Sequence, residues 1–281
     1  FFTQKTAYEI LSGLVGSEMC IRDRLQTDYL SNPARTLVPL LYNHPAKNKL
    51  TEKARIMLLD WDYFMEPSSV AAGIYETWQR EIQKGIHKLY VPEEAKSLFS
   101  SLPMKRIIDW VISPDGRFGD NPIKGRDEFL LNTLQAAVNS LSKKYGSNTD
   151  SWVYGQISFK HIMLTHQLSN VIKPEIAKTL NVGPLPRGGS SFTVNNTGSY
   201  NNQYSGASFR IFVDTEDWDR TLAMNNPGQS GNPDSPHYKN LFEEWASDGV
   251  FPLFYSLSLI HISEPTRPER ISYAGFWLKK K

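Results

Sequence analysis

The sequence predicts an α+β fold with a helical first half and a β-rich second half. Three observations carry this. Between residues 68 and 90 the apolar residues Val70, Ile74, Trp78, Ile82 and Ile86 recur every four positions, the spacing of a helix with one buried face. Between residues 183 and 238 the texture changes to strand-sized apolar runs set among Gly, Asn, Asp and Ser, which reads as strands joined by turns. No internal repeat or low-complexity linker separates the halves, so helices followed by strands point to one α+β unit over residues 25–256. The 281 residues, 40% hydrophobic and 12% aromatic, suffice to bury a full core.

In chain order, Asn32-Pro33 places Asn at an N-cap and Pro at the first helical position, with Leu37, Leu40 and Leu41 at helical spacing behind them. A second helix is expected over 50–62. Ser68 offers a hydroxyl to cap the helix that runs to residue 90. Pro92, Pro103 and Pro114 cut the next stretch into short helices, since proline removes a donor and clashes with the preceding turn. Residues 115–122 read as a loop. A helix over 124–144 carries Phe129, Leu130, Leu134, Ala137, Val138 and Leu141, and Gly146 stops it. From Trp152 onward, residues 157–164 read as a strand and 174–180 as a short helix. Phe192-Thr193-Val194 and Phe209-Arg210-Ile211-Phe212-Val213 read as strands of one sheet. In the second, Phe209, Ile211 and Val213 face one way and Arg210, Phe212 and Asp214 the other. Phe212 on the second face implies that both faces are covered. A helix over 238–247 closes the body.

The two ends read differently from the body. The chain starts at Phe1, and residues 1–24 and 257–281 resemble translated sequencing-adapter read-through of assembled shotgun reads. The alternative is an amphipathic N-terminal helix and a basic tail. Both ends are excluded from functional reasoning. They hold eight of the 31 basic and five of the 29 acidic residues, which leaves 23 basic against 24 acidic in the body. A body near neutrality carries no signal for a nucleic-acid partner, and no apolar run is long enough for a membrane span. Cys20, the single cysteine, lies in the first end, so the body offers neither a cysteine zinc site nor a disulfide framework. No cofactor is expected.

Several groups have the residue types of a site. Asp60, Asp62 and Glu66 around Trp61 suggest a glycosidase carboxylate pair beside a stacking aromatic, but on a helix positions 60 and 62 diverge by roughly 200°. Helix-end capping is the reading preferred. Asp214, Glu216, Asp217 and Asp219 suggest calcium, yet Trp218 interrupts them and the glycine and spacing of an EF-hand loop are absent. They read as a solvated turn. His161 and His166, five apart, suit neither helical metal spacing nor one strand face. Asp234, Ser235 and His237 supply triad residue types, but three side chains within four residues rarely converge in triad geometry. Gly228-Gln229-Ser230-Gly231 lacks the strand-turn-helix setting of a nucleophile elbow. Asn195-Asn196-Thr197 is a formal glycosylation acceptor. No catalytic, cofactor or metal residue is assigned.

Four pieces in order carry a resemblance: Arg187-Gly188-Gly189 with Thr193-Val194-Asn195, Ser208-Phe209-Arg210 with Val213-Asp214, Pro227-Gly228-Gln229-Ser230-Gly231, and Ser235-Pro236-His237-Tyr238. With Leu25-Gln26-Thr27-Asp28, Leu59-Asp60-Trp61-Asp62 and Ser69-Val70-Ala71-Ala72 upstream, residues 25–256 resemble the C-terminal part of the β-chain of the penicillin acylase family, which are N-terminal nucleophile hydrolases. The resemblance implies a four-layer αββα fold and hydrolysis of the amide of a small acylated substrate. In that family the first residue of the β-chain is a serine nucleophile that uses its own α-amino group as base. That serine, the oxyanion asparagine and the calcium ligands all precede the matched segment, so no residue here inherits a role. The resemblance further implies a partner α-chain, the earlier part of the β-chain, and a periplasmic or secreted location. The alternative from another class is a non-catalytic carbohydrate-binding module using exposed aromatics and asparagines.

Overall fold

The computed structural model describes residues 25–256; the expectations for 1–24 and 257–281 lie outside the described residues. The described chain divides into two compact units, 25–207 and 208–256.

The first unit is built on helices. Helix α1, Asn32–Leu37, is capped one residue earlier than expected: the Ser31 hydroxyl accepts from the Ala34 N–H at 3.3 Å. A 3-10 turn, Val38–Leu41, carries its apolar side chains onward. Helix α2, Lys49–Leu59, starts at the Asn48 side chain and ends at Asp60. Helix α3, Val70–Tyr90, takes Ser69 rather than Ser68 as its cap, with Oγ accepting from the Ala72 N–H at 3.1 Å. Its Ile74, Trp78, Ile82 and Ile86 are fully buried, as the four-residue period requires. Helix α4, Met104–Ile112, fits between Pro103 and Pro114. Helix α5, Pro122–Tyr145, is capped by Asn121 and closed by Gly146.

The core lies between α3 and α5. The Trp78 indole N–H donates to Thr133 Oγ1 at 3.1 Å and to the Leu130 carbonyl at 3.2 Å, so the largest buried side chain of α3 also has its polar atom satisfied. Gly73 lets the chain at Trp152 cross α3 closely: a Cβ there would sit 2.1 Å from the Trp152 carbonyl oxygen. Beyond α5 the strand expected over 157–164 is confined to β1, His161–Leu164, because residues ahead of it are held in turns such as Phe159 N–H to the Gln156 carbonyl at 2.8 Å. Helix α6, Pro174–Leu180, lies where the sequence places it. It leads into β2, Val182–Pro186, which pairs antiparallel with β1 in the register His161↔Pro186 and Ile162↔Leu185. Two prolines are tolerated there because the sheet has two strands and both are edges.

Phe192-Thr193-Val194-Asn195 is not a strand, which corrects the expectation of one sheet shared with 209–213. It is a turn closed by hydroxyls: Ser190 Oγ accepts from the Phe192 N–H at 3.1 Å, and Thr193 Oγ1 accepts from the Ser190 N–H at 2.9 Å. Local bonds of this kind offer the backbone an alternative to a ladder and override the β-propensity of Phe, Thr and Val.

The second unit holds a three-stranded antiparallel sheet in the order β3-β4-β5. Its strands are β3, Phe209–Phe212, β4, Leu222–Asn225, and β5, Phe251–Pro252, with Arg210↔Met224 and Ala223↔Phe251 in register. The alternation along β3 is as read, but the expectation that both faces are covered is corrected: Arg210, Phe212 and Asp214 are buried, while Phe209 is 52%, Ile211 37% and Val213 42% exposed. Arg210 is drawn inward by helix α7, Phe242–Ala246, and the turn after it. Its Nη1 donates to Asp248 at 2.5 Å and its Nη2 to the Trp245 carbonyl at 2.7 Å. Helix α7 starts four residues later than expected, since the chain before it is spent on turns such as Tyr238 N–H to the Ser235 carbonyl at 3.1 Å. Among the described residues, no helix is long and apolar enough to cross a membrane.

Candidate functional site

Within the first unit a cavity of about 660 Å³ opens along α3. Glu76, Arg80, Lys84 and His87 of α3 line one side. At helical spacing they fall within about 80° of arc, which is why one helix face can supply all four. Leu102 and Ile107 line it from the chain after α3, and Ser191, Phe192 and Ser199 come from the turn region that follows β2.

Behind this wall lies a buried ionic cluster. The Lys160 ammonium and the Glu76 carboxylate, whose side chains are 1% and 5% exposed, meet at 2.9 Å. The same Glu76 Oε1 accepts from Arg80 Nε at 3.1 Å and Nη2 at 2.9 Å. Lys160 Nζ also donates to the Ser199 and Tyr200 carbonyls at 3.2 and 3.0 Å, and Arg80 Nη2 to the Ser199 carbonyl at 3.0 Å. Burying charge is tolerated only when every donor finds a partner, and here the ammonium's three donors do. Burial still pushes the Lys160 ammonium below its ordinary pKa, against the pull of Glu76.

The segment carrying Ser199 and Tyr200 is fastened from other directions too. The Gln203 N–H donates to the His161 carbonyl at 2.7 Å, extending the pairing of β1. The Gln203 amide donates to Thr197 Oγ1 at 2.6 Å and to the Gly189 carbonyl at 2.9 Å, and the Tyr154 hydroxyl donates to that same carbonyl at 2.5 Å. Burial raises the Tyr154 phenol well above its usual pKa, so it acts as a donor throughout the neutral range. Gly189 sits at φ 76°, with the Asn195 carbonyl 2.6 Å from where a Cβ would be; only glycine fits there. The cavity wall is thus a fixed surface.

The groups weighed from sequence fall elsewhere. Asp60 is the C-cap of α2, and Asp62 accepts from the Phe64 N–H at 3.1 Å. His161 is in β1, where burial lowers its pKa; His166 caps a 3-10 turn, accepting from Leu168 at 3.2 Å. In the second unit Asp214 accepts from the N–H groups of Glu216 and Asp217, and Asp219 from those of Tyr255 and Ser256. These carboxylates cap backbone. Among the described residues, no group of three or more His, Cys, Asp or Glu is placed to hold a metal. Ser235 Oγ accepts from the His237 N–H at 3.2 Å, and the Asp234 N–H donates to Asn232 at 3.0 Å, the pattern of a turn. Asn195 and Thr197 are both buried, which removes the glycosylation acceptor from reach. Sequence reasoning missed the Lys160 cluster. Its one local signal is the Glu76/Arg80 pair at i, i+4; nothing near residue 160 points to Lys160 as its third member.

Comparisons with known proteins agree with this architecture. The chain is 23% identical over 215 residues to the acyl-homoserine lactone acylase QuiP of Pseudomonas fluorescens strain Pf0-1, covering 71% of this chain and 25% of that protein. It is 26% identical over 232 residues to the penicillin acylase 2 proenzyme of Pseudomonas sp. strain SE83, covering 78% and 29%. The chain therefore spans about a quarter of the length of these curated relatives. Among solved structures, the thermostable penicillin G acylase from Alcaligenes faecalis in orthorhombic form shares the fold with TM-score 0.51 at 18% identity, over 85% of this chain and 46% of that one. The family model described as penicillin amidase matches residues 22–261, most of the sequence, and the chain belongs to the penicillin amidase family.

Proposed function

We propose that this chain is the C-terminal portion of an acylase that hydrolyses the amide bond of a small acylated substrate. The observation that carries it is the family match over residues 22–261, and the names of the relatives narrow the substrate to acyl amides of the penicillin or acyl-homoserine lactone kind. The chemistry needs a nucleophile with a base in reach and donors aimed at the developing oxyanion. The serine weighed for this, Ser235, is tied into a turn with His237, and an internal serine has no free α-amino group. We therefore place the nucleophile on an N-terminal serine outside this sequence. The residues here supply scaffold: α3 and α5, packed on one another, and the two small sheets. The remaining partners in this reading are an α-chain and the earlier part of the β-chain, in the periplasm or outside the cell. The match to acylases puts this reading ahead of a carbohydrate-binding module.

The test compares two proteins. Residues 25–256 alone are expected to leave acyl-nitroanilides and N-acyl homoserine lactones intact. The gene product extended upstream is expected to cleave at least one of them and to lose that activity when its new N-terminal serine is replaced. Turnover by residues 25–256, abolished by Ser235→Ala or His237→Ala, would overturn the assignment.

A further inference from the structure

The cavity along α3 has a charge pattern that the cluster behind it explains. Glu76 is the one acid among the described residues lining it, and that carboxylate already faces two cations, Lys160 and Arg80. One negative charge against two positive ones leaves the Arg80 side of the wall with a net positive charge. Lys84 lies on the same stripe, 69% exposed, with the half-buried His87 imidazole beside it. Glu81 pairs with Lys84 at 2.6 Å and offsets its charge, so the net positive charge of the wall is the one left by Lys160 and Arg80 against Glu76; a ligand carboxylate competes with Glu81 for the exposed ammonium. The apolar part of the lining is Leu102, Ile107 and Phe192. A volume of about 660 Å³ is in the range of small-molecule sites.

We propose that this cavity binds a small carboxylate with an apolar body, an aryl- or alkyl-carboxylate, with its charged end toward Arg80 and Lys84 and its body against Leu102, Ile107 and Phe192. Charge complementarity selects the anion, and the apolar wall selects against small inorganic ions. The wall is held in advance by the contacts of Lys160 and Arg80 to the Ser199 and Tyr200 carbonyls, so little ordering cost falls on the ligand. This site does not rest on the amide-hydrolysis reading and can be tested on the 281-residue chain as it stands.

The test is a chemical-shift titration with hydrocinnamate, octanoate and the neutral hydrocinnamamide. Both carboxylates are expected to bind saturably and the amide more weakly. The charge reversal Lys84→Glu is expected to weaken carboxylate binding by at least about fivefold. Lys53→Glu, the same charge change on the exposed face of α2, is expected to leave it unchanged. Raising the salt concentration should weaken it through screening. Failure of both carboxylates to saturate, equal binding of the amide, or equal loss with Lys53→Glu would each overturn the proposal.

Discussion

Lys160 Nζ lies 2.9 Å from Glu76 Oε1, a contact between β1's approach and the middle of α3 made 84 residues apart in sequence. Because Arg80 shares the same oxygen, the two partners are not equivalent. Glu76→Gln leaves a buried ammonium facing a guanidinium, and is expected to cost about 3–5 kcal/mol, the range for stranding a buried charge. Lys160→Met leaves Glu76 still paired with Arg80 and should cost less. Urea unfolding of both variants checks the order; Lys160→Met being the worse of the two would contradict it.

Gly73→Ala is expected to destabilise by on the order of 3 kcal/mol, the upper part of the range for overpacking, because the methyl group meets the Trp152 carbonyl at 2.1 Å. Gly116→Ala, with nothing within 4 Å of its Cβ, is the control and should change the midpoint little. Thermal unfolding of the pair reads this directly.

Acid stability should depend in part on Glu52. The Arg55 guanidinium, at 2.7 Å, and the Ala46 N–H, also at 2.7 Å, hold its carboxyl down to about 2 from an ordinary 4.5. A carboxyl whose pKa is lower in the folded state contributes stability that is fully present above pH 4.5 and is lost as pH falls toward 2. Glu52→Gln should therefore cost about 1 kcal/mol at pH 7, as befits a partly exposed pair, and flatten the loss between pH 4.5 and 2. An unchanged acid limb in the variant would show that other carboxylates carry it.

Removing residues 1–24 and 257–281 together is expected to leave the unfolding temperature unchanged or raised, if both ends are read-through never selected to fit this body. A large fall on deletion, measured by calorimetry, would show instead that they belong to it.

Much of the helical half was legible locally. The period of Ile74, Trp78, Ile82 and Ile86 marks both the length of α3 and its buried face, and Pro174 stands at the first helical position of α6. Helix periodicity survives in a single window because i, i+4 neighbours are set by the chain itself. Cap positions slipped by one residue, from Asn32 to Ser31 and from Ser68 to Ser69, since adjacent polar residues compete for the same backbone donors.

What sequence alone determined, then, is where helices form and which of their faces is apolar, because those properties depend on residues a turn apart. Tertiary structure decided the rest. Phe192-Thr193-Val194 has the residue types of a strand, but Ser190 and Thr193 close it into a turn. The face of β3 that is buried is the one carrying Arg210, because Asp248 and the Trp245 carbonyl wait for that guanidinium more than 30 residues later. Lys160 reads as an ordinary lysine after Phe159, yet it is among the most buried side chains, since Glu76 and the carbonyls of Ser199 and Tyr200, about 40 residues downstream, converge on it. Partners so distant in sequence leave no local period or propensity to read; only the packed chain brings them within hydrogen-bond reach.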